Sequence, residues 1–350
     1  MAARNSLSSQ RSRSLPFRLL GAQRHDPLRG AAWLPALPRW RLLGQPRSRS
    51  VSAGLLVLSL GLAAGSVAAQ ELTPRLYAPA PTGGNIVVLS YGRSTGALLF
   101  DPSLPFDDVN AAINNGSLLY GRTFGVLGRS ANVVVGLPYV WGDIDGYVVD
   151  EYRAITRSGL ADLRMQMTVN VLGGPALTPK EFASHRPDTI VGLSLAVVPP
   201  TGQYDPAKLI NIGSNRWSVK PQLGVSKTIG PWYLEFYGGV WFFTNNTDFF
   251  GGSVREQDPL GAFQAHVSYT FKPRLWLAAN ATFYTGGRTT LNGVDKADVQ
   301  SNSRLGVTLG VPLGRRSSLK VAWATGFTTR VGADFDTIGV ALQTVWFRKP

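Results

Sequence analysis

From about residue 85, the sequence consists of segments of roughly ten residues in which apolar side chains alternate with polar or small ones. The intervals between these segments alternate between short and long as far as the C-terminus. A strand that crosses an outer membrane needs about 9–11 residues, and its side chains face lipid and lumen in turn. The pattern therefore predicts an all-β fold, a transmembrane antiparallel up-and-down β-barrel with short periplasmic turns and long extracellular loops.

Twelve strands are predicted, an even number as in bacterial barrels made from one chain. They cover 85–92, 117–126, 131–141, 159–171, 188–198, 216–228, 232–244, 258–270, 275–285, 301–312, 317–328 and 336–347. Long loops are expected at 93–116, 142–158, 199–215, 245–257 and 286–300. The 172–187 connection is long on the side of the short turns, which makes it the exception.

Three regions are expected along the chain: an N-terminal extension with a signal peptide (1–69), a Pro-rich periplasmic leader (70–84) and the barrel (85–350). The first 50 residues hold ten arginines and one acid, and an apolar run, 51–65, precedes small residues suited to cleavage near Ala69. An organellar transit peptide, or a start codon placed too far upstream, stays open as an alternative for residues 1–50. The net charge of +14 falls to +5 from Gln70 onward, so nucleic acid is not an expected partner.

The residue types exclude several other classes of protein. The chain has no cysteine, which rules out a disulfide framework and cysteine metal sites. The chain has no stretch of about 18 apolar residues, so no transmembrane helix is predicted. The Gly-Gly pairs lack the strand–loop–helix context and the lysine of a phosphate-binding loop. We therefore expect no cofactor.

Three motifs carry a resemblance to a known family. They are Pro-Thr-Gly-x-Tyr-Asp (200–205), Gly-Ser-Asn-Arg-Trp (213–217) and Gly-Gly-Arg-Thr-Thr (286–290). With these motifs, residues 83–347 resemble the outer-membrane transporter family known as the meta-pathway phenol-degradation proteins. The resemblance implies a β-barrel that transports aromatic or other hydrophobic compounds. Outer-membrane barrels often end in a Phe that the barrel assembly machinery reads; here Phe347 is followed by three more residues.

Charged residues on the polar faces of the strands are the predicted solute-binding groups. A charge facing lipid near the middle of the bilayer costs about 2–4 kcal/mol, so the face that carries charges must line the lumen. Fixed charges in a lumen set ion preference and hold the polar end of a solute, although they also pair across a narrow barrel. The candidates are Arg164, Lys220, Glu235 and Arg304.

Two weaker patterns concern catalysis and metal binding. His266 and Ser268 lie two residues apart on one face of a strand, as in outer-membrane phospholipases, but Tyr269 follows where those enzymes have Asn. A hydrogen-bonding pair in the lumen is the plainer interpretation. The acidic run around Gly142–Gly146 has too few oxygen ligands for a calcium loop, so a solvated loop is expected there and no metal site.

Together these patterns predict a bacterial outer-membrane channel or transporter for the passive uptake of small hydrophobic or aromatic compounds. The alternative is a structural or surface-interaction barrel with a closed lumen, and a membrane hydrolase built on His266 and Ser268 is a third possibility. We expect no enzymatic activity. The expected partners are outer-membrane lipid, a small solute and the barrel assembly machinery.

Overall fold

A computed structural model of the chain describes residues 72–99, 106–148, 150–186 and 188–347. The described residues form seventeen strands and one short α-helix. The strands are β1 Gly84–Leu99, β2 Phe106–Val126, β3 Arg129–Val148, β4 Glu151–Leu160, β5 Arg164–Leu172, β6 Thr189–Val198, β7 Ser218–Ile229, β8 Trp232–Phe243, β9 Asn246–Phe249, β10 Ser253–Gln257, β11 Leu260–Lys272, β12 Leu275–Gly286, β13 Thr289–Leu291, β14 Val294–Asp295, β15 Gln300–Leu313, β16 Ser317–Thr328 and β17 Gly332–Phe347. The predicted signal peptide (1–69) and its cleavage point lie outside the described residues.

The main sheet closes on itself as an antiparallel barrel. Its hydrogen-bonded order is β2-β1-β17-β16-β15-β12-β11-β8-β7-β6-β5-β3, and pairing of β2 with β3 completes the ring. The first and last strands pair along their whole length, from Gly84 opposite Phe347 to Leu99 opposite Gly332. β4 continues the line of β5 and pairs with the C-terminal part of β3, from Tyr139 to Val148. These twelve positions around the ring confirm the predicted twelve-stranded barrel.

The barrel has an apolar outside and a polar inside. On β7, Leu223 is 49 % exposed on the outer wall, whereas its neighbour Gln222 is only 4 % exposed on the inner wall. The same alternation holds on β5, where Met167 faces out and Thr168 faces in. Exposed aromatic side chains lie towards both ends of the outer wall, among them Trp217 and Trp232, as at the headgroup level of a membrane. This outer surface places the barrel in a lipid bilayer.

The strands on one side of the barrel are longer than predicted. The expected loops 93–116 and 142–158 are largely strand, because β1 pairs with β2 up to Ala97 and β3 pairs with β4 up to Val148. These parts rise above the apolar band, where no lipid imposes alternation, and the sequence pattern therefore missed them. The predicted strand 159–171 is also interrupted, since Asp162 separates β4 from β5.

The opposite end of the barrel has tight turns. Leu127 and Gly128 join β2 to β3 with φ of 48° and 75°, the two positive values of a type I′ hairpin turn. The long 173–188 connection at this end contains helix α1, Pro179–Phe182. Thr178 and Glu181 cap it reciprocally.

A second, four-stranded sheet lies at the long-loop end. It has the order β14-β13-β10-β9 and is formed by residues for which the sequence pattern predicts loops. Among the residues that the structure describes, there is no helix with the length and apolar character needed to cross a membrane.

The outer wall yields a test of the barrel's orientation in lipid. Leu223→Arg places a charge on the lipid face at the middle of β7 and should lower the free energy of unfolding by about 2–4 kcal/mol, whereas Leu313→Arg, at the turn end of β15, should cost about 0–1 kcal/mol. Urea unfolding in lipid vesicles, followed by tryptophan fluorescence, measures both. Equal costs would contradict the assignment of Leu223 to the membrane interior.

Candidate functional site in the barrel lumen

The segment Leu72–Gly83, which precedes β1, lies inside the barrel and is called the plug segment below. Its end next to β1 is fixed by hydroxyl groups of β2 and β3. Thr123 Oγ1 donates a hydrogen bond of 2.6 Å to the carbonyl of Pro81, and Ser130 Oγ donates one of 3.2 Å to the carbonyl of Ala80. From there the segment runs across the lumen towards β11 and β15.

Tyr77 anchors the middle of the plug segment. Its side chain has no exposed surface, and its hydroxyl lies 3.0 Å from Ser194 Oγ and accepts a hydrogen bond of 3.1 Å from Gln222 Nε2. The ring fits against Gly192 on β6 and Gly224 on β7, where any Cβ would collide with it. The inner wall is therefore shaped around this one side chain.

Glu235 holds the next part of the plug segment. Both oxygens of its carboxylate accept hydrogen bonds from the backbone N–H of Arg75, at 2.9 and 2.8 Å, and the Tyr237 hydroxyl donates to the same carboxylate. The Arg75 guanidinium lies 4.5 Å from the ring centre of Trp276, within range of a cation–π interaction. Glu235 thus binds a part of its own chain.

The other three predicted residues also face the lumen. Lys220 and Arg304 are 2 % and 4 % exposed on the inner wall. The Lys220 ammonium lies 5.1 Å from the ring centre of Trp241, and Arg304 Nη2 donates a hydrogen bond of 2.8 Å to the carbonyl of Phe335. Arg164 lines two of the cavities described next. The alternation predicted these orientations correctly; contact with a solute stays a prediction.

A cavity in the lumen opens at the long-loop end and is called the mouth cavity. It has a volume of about 690 Å³. Aliphatic and aromatic side chains alternate in its walls with charged side chains of both signs; the lining includes Leu98, Ile144, Ile155, Leu209, Ile210, Phe249, Leu291, Asp145, Asp298, Arg157, Arg255 and Lys296.

The second cavity, called the arginine cavity, lies next to the mouth cavity. The two share the wall residues Arg255, Gln257 and Gln300. It has a volume of about 190 Å³, and Arg164, Arg216 and Phe243 also line it. The shared residues make the two spaces neighbours along one route into the barrel.

The third cavity is called the plug cavity because Thr73 and Leu76 of the plug segment line it. It has a volume of about 70 Å³ and shares Arg164, Val198 and Trp241 with the arginine cavity. The three cavities therefore follow one another from the mouth of the barrel to the plug segment, where the space narrows.

The loop 199–215 folds over the mouth and is held from below by Asp162. Asp162 Oδ1 accepts a hydrogen bond of 2.7 Å from Gly202 N, and its Oδ2 accepts one of 2.8 Å from Ser214 N. Leu209 and Ile210 in this loop form part of the mouth cavity wall. The interruption between β4 and β5 thus lets the Asp162 carboxylate face the loop 199–215 and hold it.

The geometry around His266 does not support the hydrolase hypothesis. His266 Nδ1 lies 2.9 Å from Asn280 Oδ1. His266 Nε2 and Ser268 Oγ are both buried on the inner wall and make no hydrogen bond with each other. A lipid-cleaving pair would need access from the bilayer, which this position lacks.

The acidic residues do not gather into a metal site within the described residues. The sequence Gly142–Gly146, expected to be a loop, belongs to strand β3. There, Asp143 Oδ1 accepts a hydrogen bond of 2.6 Å from Thr156 Oγ1 on the paired strand β4.

The family model and the structural match with a TM-score of 0.65 agree with this architecture. Residues 80–343 match the model of the family described as "Putative MetA-pathway of phenol degradation". The chain is similar in structure to the COG4313 outer membrane channel from Pseudomonas putida F1, with a TM-score of 0.65 and 21 % identity over 78 % of this chain and 99 % of that chain. It is also similar to the transport unit of the autotransporter AIDA-I from Escherichia coli, with a TM-score of 0.44 and 12 % identity over 76 % and 90 % of the two chains. Comparison with curated proteins finds no match.

The contacts of Tyr77 yield a test of the plug segment. Tyr77→Ala removes a buried ring, a change that costs about 3–5 kcal/mol in a packed core, and should release the segment from the lumen. Trypsin should then cut after Arg75 in the folded barrel of the variant much faster than in the wild type, as followed by mass spectrometry. Tyr147→Ala, at an exposed tyrosine of β3, is the matched control and should leave this bond protected. Rapid cutting of the wild type would contradict the plugged arrangement.

Proposed function

The chain belongs to the family of the MetA-pathway of phenol degradation, and we propose that it is an outer-membrane channel for the passive uptake of small hydrophobic or aromatic compounds. The observation that carries the proposal is the route formed by the mouth, arginine and plug cavities. Each shares wall residues with the next, and the mouth and plug cavities have more apolar than polar side chains in their walls. Outer-membrane lipid surrounds the barrel, and the solute is its second partner.

The walls of the route suit solutes with an aromatic ring. Phe249 lines the mouth cavity, Phe243 lines the arginine cavity, and Trp241 lines both the arginine and plug cavities. Ligand sites are in general mostly apolar, with a few placed polar groups that orient the ligand. A solute would leave water at the mouth, move along these rings and reach the plug segment.

The plug segment acts as the gate in this proposal. Its residues Thr73 and Leu76 line the plug cavity, so the segment would close the route on the periplasmic side of that cavity. The hydrogen bonds of Arg75 and Tyr77 to the wall are few enough to break and reform as a unit. Glu235 would therefore control opening of the channel, and Arg164 would contact the solute.

A closed structural or surface-interaction barrel is the second candidate, and the plug segment is the observation that favours it. If the segment never leaves the lumen, binding would take place at the long loops. Insertion by the barrel assembly machinery is proposed for either case. Neither case includes catalysis, in keeping with the lack of a hydrogen bond between His266 Nε2 and Ser268 Oγ.

Single-channel recording in planar bilayers tests the proposal. The wild-type protein should show rare, small conductance steps, because the plug segment closes the lumen most of the time. Tyr77→Ala should raise the open fraction by about tenfold or more, since a loss of 1.4 kcal/mol from the closed state already shifts the equilibrium tenfold. Phenol in the bath should block these steps.

Tyr147→Ala is again the control and should record like the wild type. A folded Tyr77→Ala barrel without conductance steps would favour the closed structural barrel. Steps that phenol leaves unchanged would contradict the assignment of aromatic solutes to this route. Folding of each variant is checked by its migration in SDS gels with and without heating.

A further inference from the structure

Three cationic side chains converge on the arginine cavity. Arg164, Arg216 and Arg255 all line it, and Asp162 is the carboxylate among the lining residues. Both oxygens of Asp162 already accept hydrogen bonds from the backbone of the loop 199–215. The cavity therefore has an excess of positive charge in a largely buried position.

Arg216 is held in place with one of its donor groups left over. Its Nη2 donates a hydrogen bond of 2.5 Å to Gln257 Oε1, and its guanidinium lies 4.4 Å from the ring centre of Phe243. Its Nη1 is buried and has no hydrogen-bond partner among the described residues. Buried donors are nearly always paired, so we expect a bound acceptor in the cavity to accept a hydrogen bond from this atom.

Arg255 adds a second charge close to the first. Burial and then the neighbouring charge of Arg255 lower the pKa of Arg216 to about 9, and Asp162 opposes this shift only in part. Arg255 itself lies against Phe249, 5.4 Å from its ring centre. Asp298 is near it, but the Asp298 carboxylate accepts hydrogen bonds from the N–H and hydroxyl groups of Thr289. An anion between the two guanidinium groups would relieve their repulsion.

The size and walls of the cavity indicate what kind of anion fits. Its volume is about 190 Å³, and an engineered apolar cavity of about 150 Å³ accommodates benzene. Phe243, Trp241 and Leu260 provide apolar walls beside the arginines. A planar carboxylate matches the fork of a guanidinium group, and a single ring fills the apolar part.

We propose that the arginine cavity is a binding site for single-ring aromatic carboxylates, with Arg216 and Arg255 holding the carboxylate and Phe243 and Trp241 contacting the ring. This inference rests on the proposed function, because it names the class of solute that the channel selects. The site lies between the mouth and the plug segment, so every solute on this route passes it.

Titration calorimetry on the full-length protein in detergent tests the site without requiring an open channel. Benzoate is the probe, and benzyl alcohol is its neutral counterpart of similar size. Benzoate should bind about 10–100 times more tightly than benzyl alcohol, as expected for hydrogen bonds to charged groups. Arg216→Gln combined with Arg255→Gln should remove this difference. Arg330→Gln, which removes an exposed arginine from a loop at the same end of the barrel, should leave it unchanged.

A second variant keeps the test informative if the double variant does not fold. Arg216→Lys retains the charge and loses the planar fork, so benzoate binding should weaken while anions of any shape are still attracted. Equal binding of benzoate and benzyl alcohol by the wild type would overturn the inference. Displacement of benzoate by inorganic phosphate at the same concentration would also overturn it, since the cavity would then be a general anion site.

Failure of this inference is distinguishable from failure of the proposed function. One outcome is that phenol blocks the conductance steps but benzoate binds equally well after Arg216 and Arg255 are replaced. This outcome would support the channel and contradict the carboxylate site. Arginine-dependent benzoate binding to a barrel that never conducts would support the site and contradict passage through it.

Discussion

Closure of the hydrogen-bond ladder between β1 and β17 is the constraint on which the rest of this structure depends. In the hydrocarbon part of a bilayer, an unpaired backbone group costs several kcal/mol, so only a closed sheet is stable there. Sixteen residue pairs join the two terminal strands here, from Gly84 and Phe347 upward. Once the ring is closed, the period of two along each strand sends apolar side chains to lipid and polar ones to the lumen. Lys220, Glu235 and Arg304 face the lumen for this reason.

The polar lumen then requires partners for its buried groups, and the plug segment supplies several of them. The Glu235 carboxylate accepts from Arg75, and Gln222 donates to the Tyr77 hydroxyl. A narrow barrel could instead satisfy such groups by pairing them across the lumen. In this protein the backbone of the plug segment does part of that work near the periplasmic end, while Arg216 near the mouth keeps a buried donor, Nη1, without a hydrogen-bond partner among the described residues. The two ends of the lumen thus differ: one is occupied by the chain itself, and the other holds the mouth and arginine cavities.

Much of the wall was predictable from the sequence, and little of the lumen was. Alternation identified all twelve positions of the ring and the inward direction of Arg164, Lys220, Glu235 and Arg304, because lipid penalises a charge on the wrong face. At the long-loop ends of β1 to β4 no lipid is present, so this penalty vanishes. There the alternation did not predict the strands. The plug segment gave no periodic signal, and its hydrogen-bond partners lie up to 195 residues away in sequence, so the sequence pattern could not locate it. Arg216 and Arg255 were not among the predicted solute-binding residues. Arg216 stands at the first position of the predicted strand 216–228, but β7 begins only at Ser218, too late to give its side chain a clear direction, and Arg255 belongs to the small second sheet, which the alternation did not predict.

The plug segment also orders the steps of assembly in time. It lies at the N-terminal end of the described chain, and the residues it contacts are spread from Thr123 on β2 to Gly306 on β15. A chain that emerges N-terminus first therefore exports this segment long before its docking site exists. Tyr77 cannot find Gly192 and Gly224 until β6 and β7 are paired, and Leu72 must wait for β15. The part of the barrel that is made first is consequently the part that settles last, and the lumen stays open until the wall is complete.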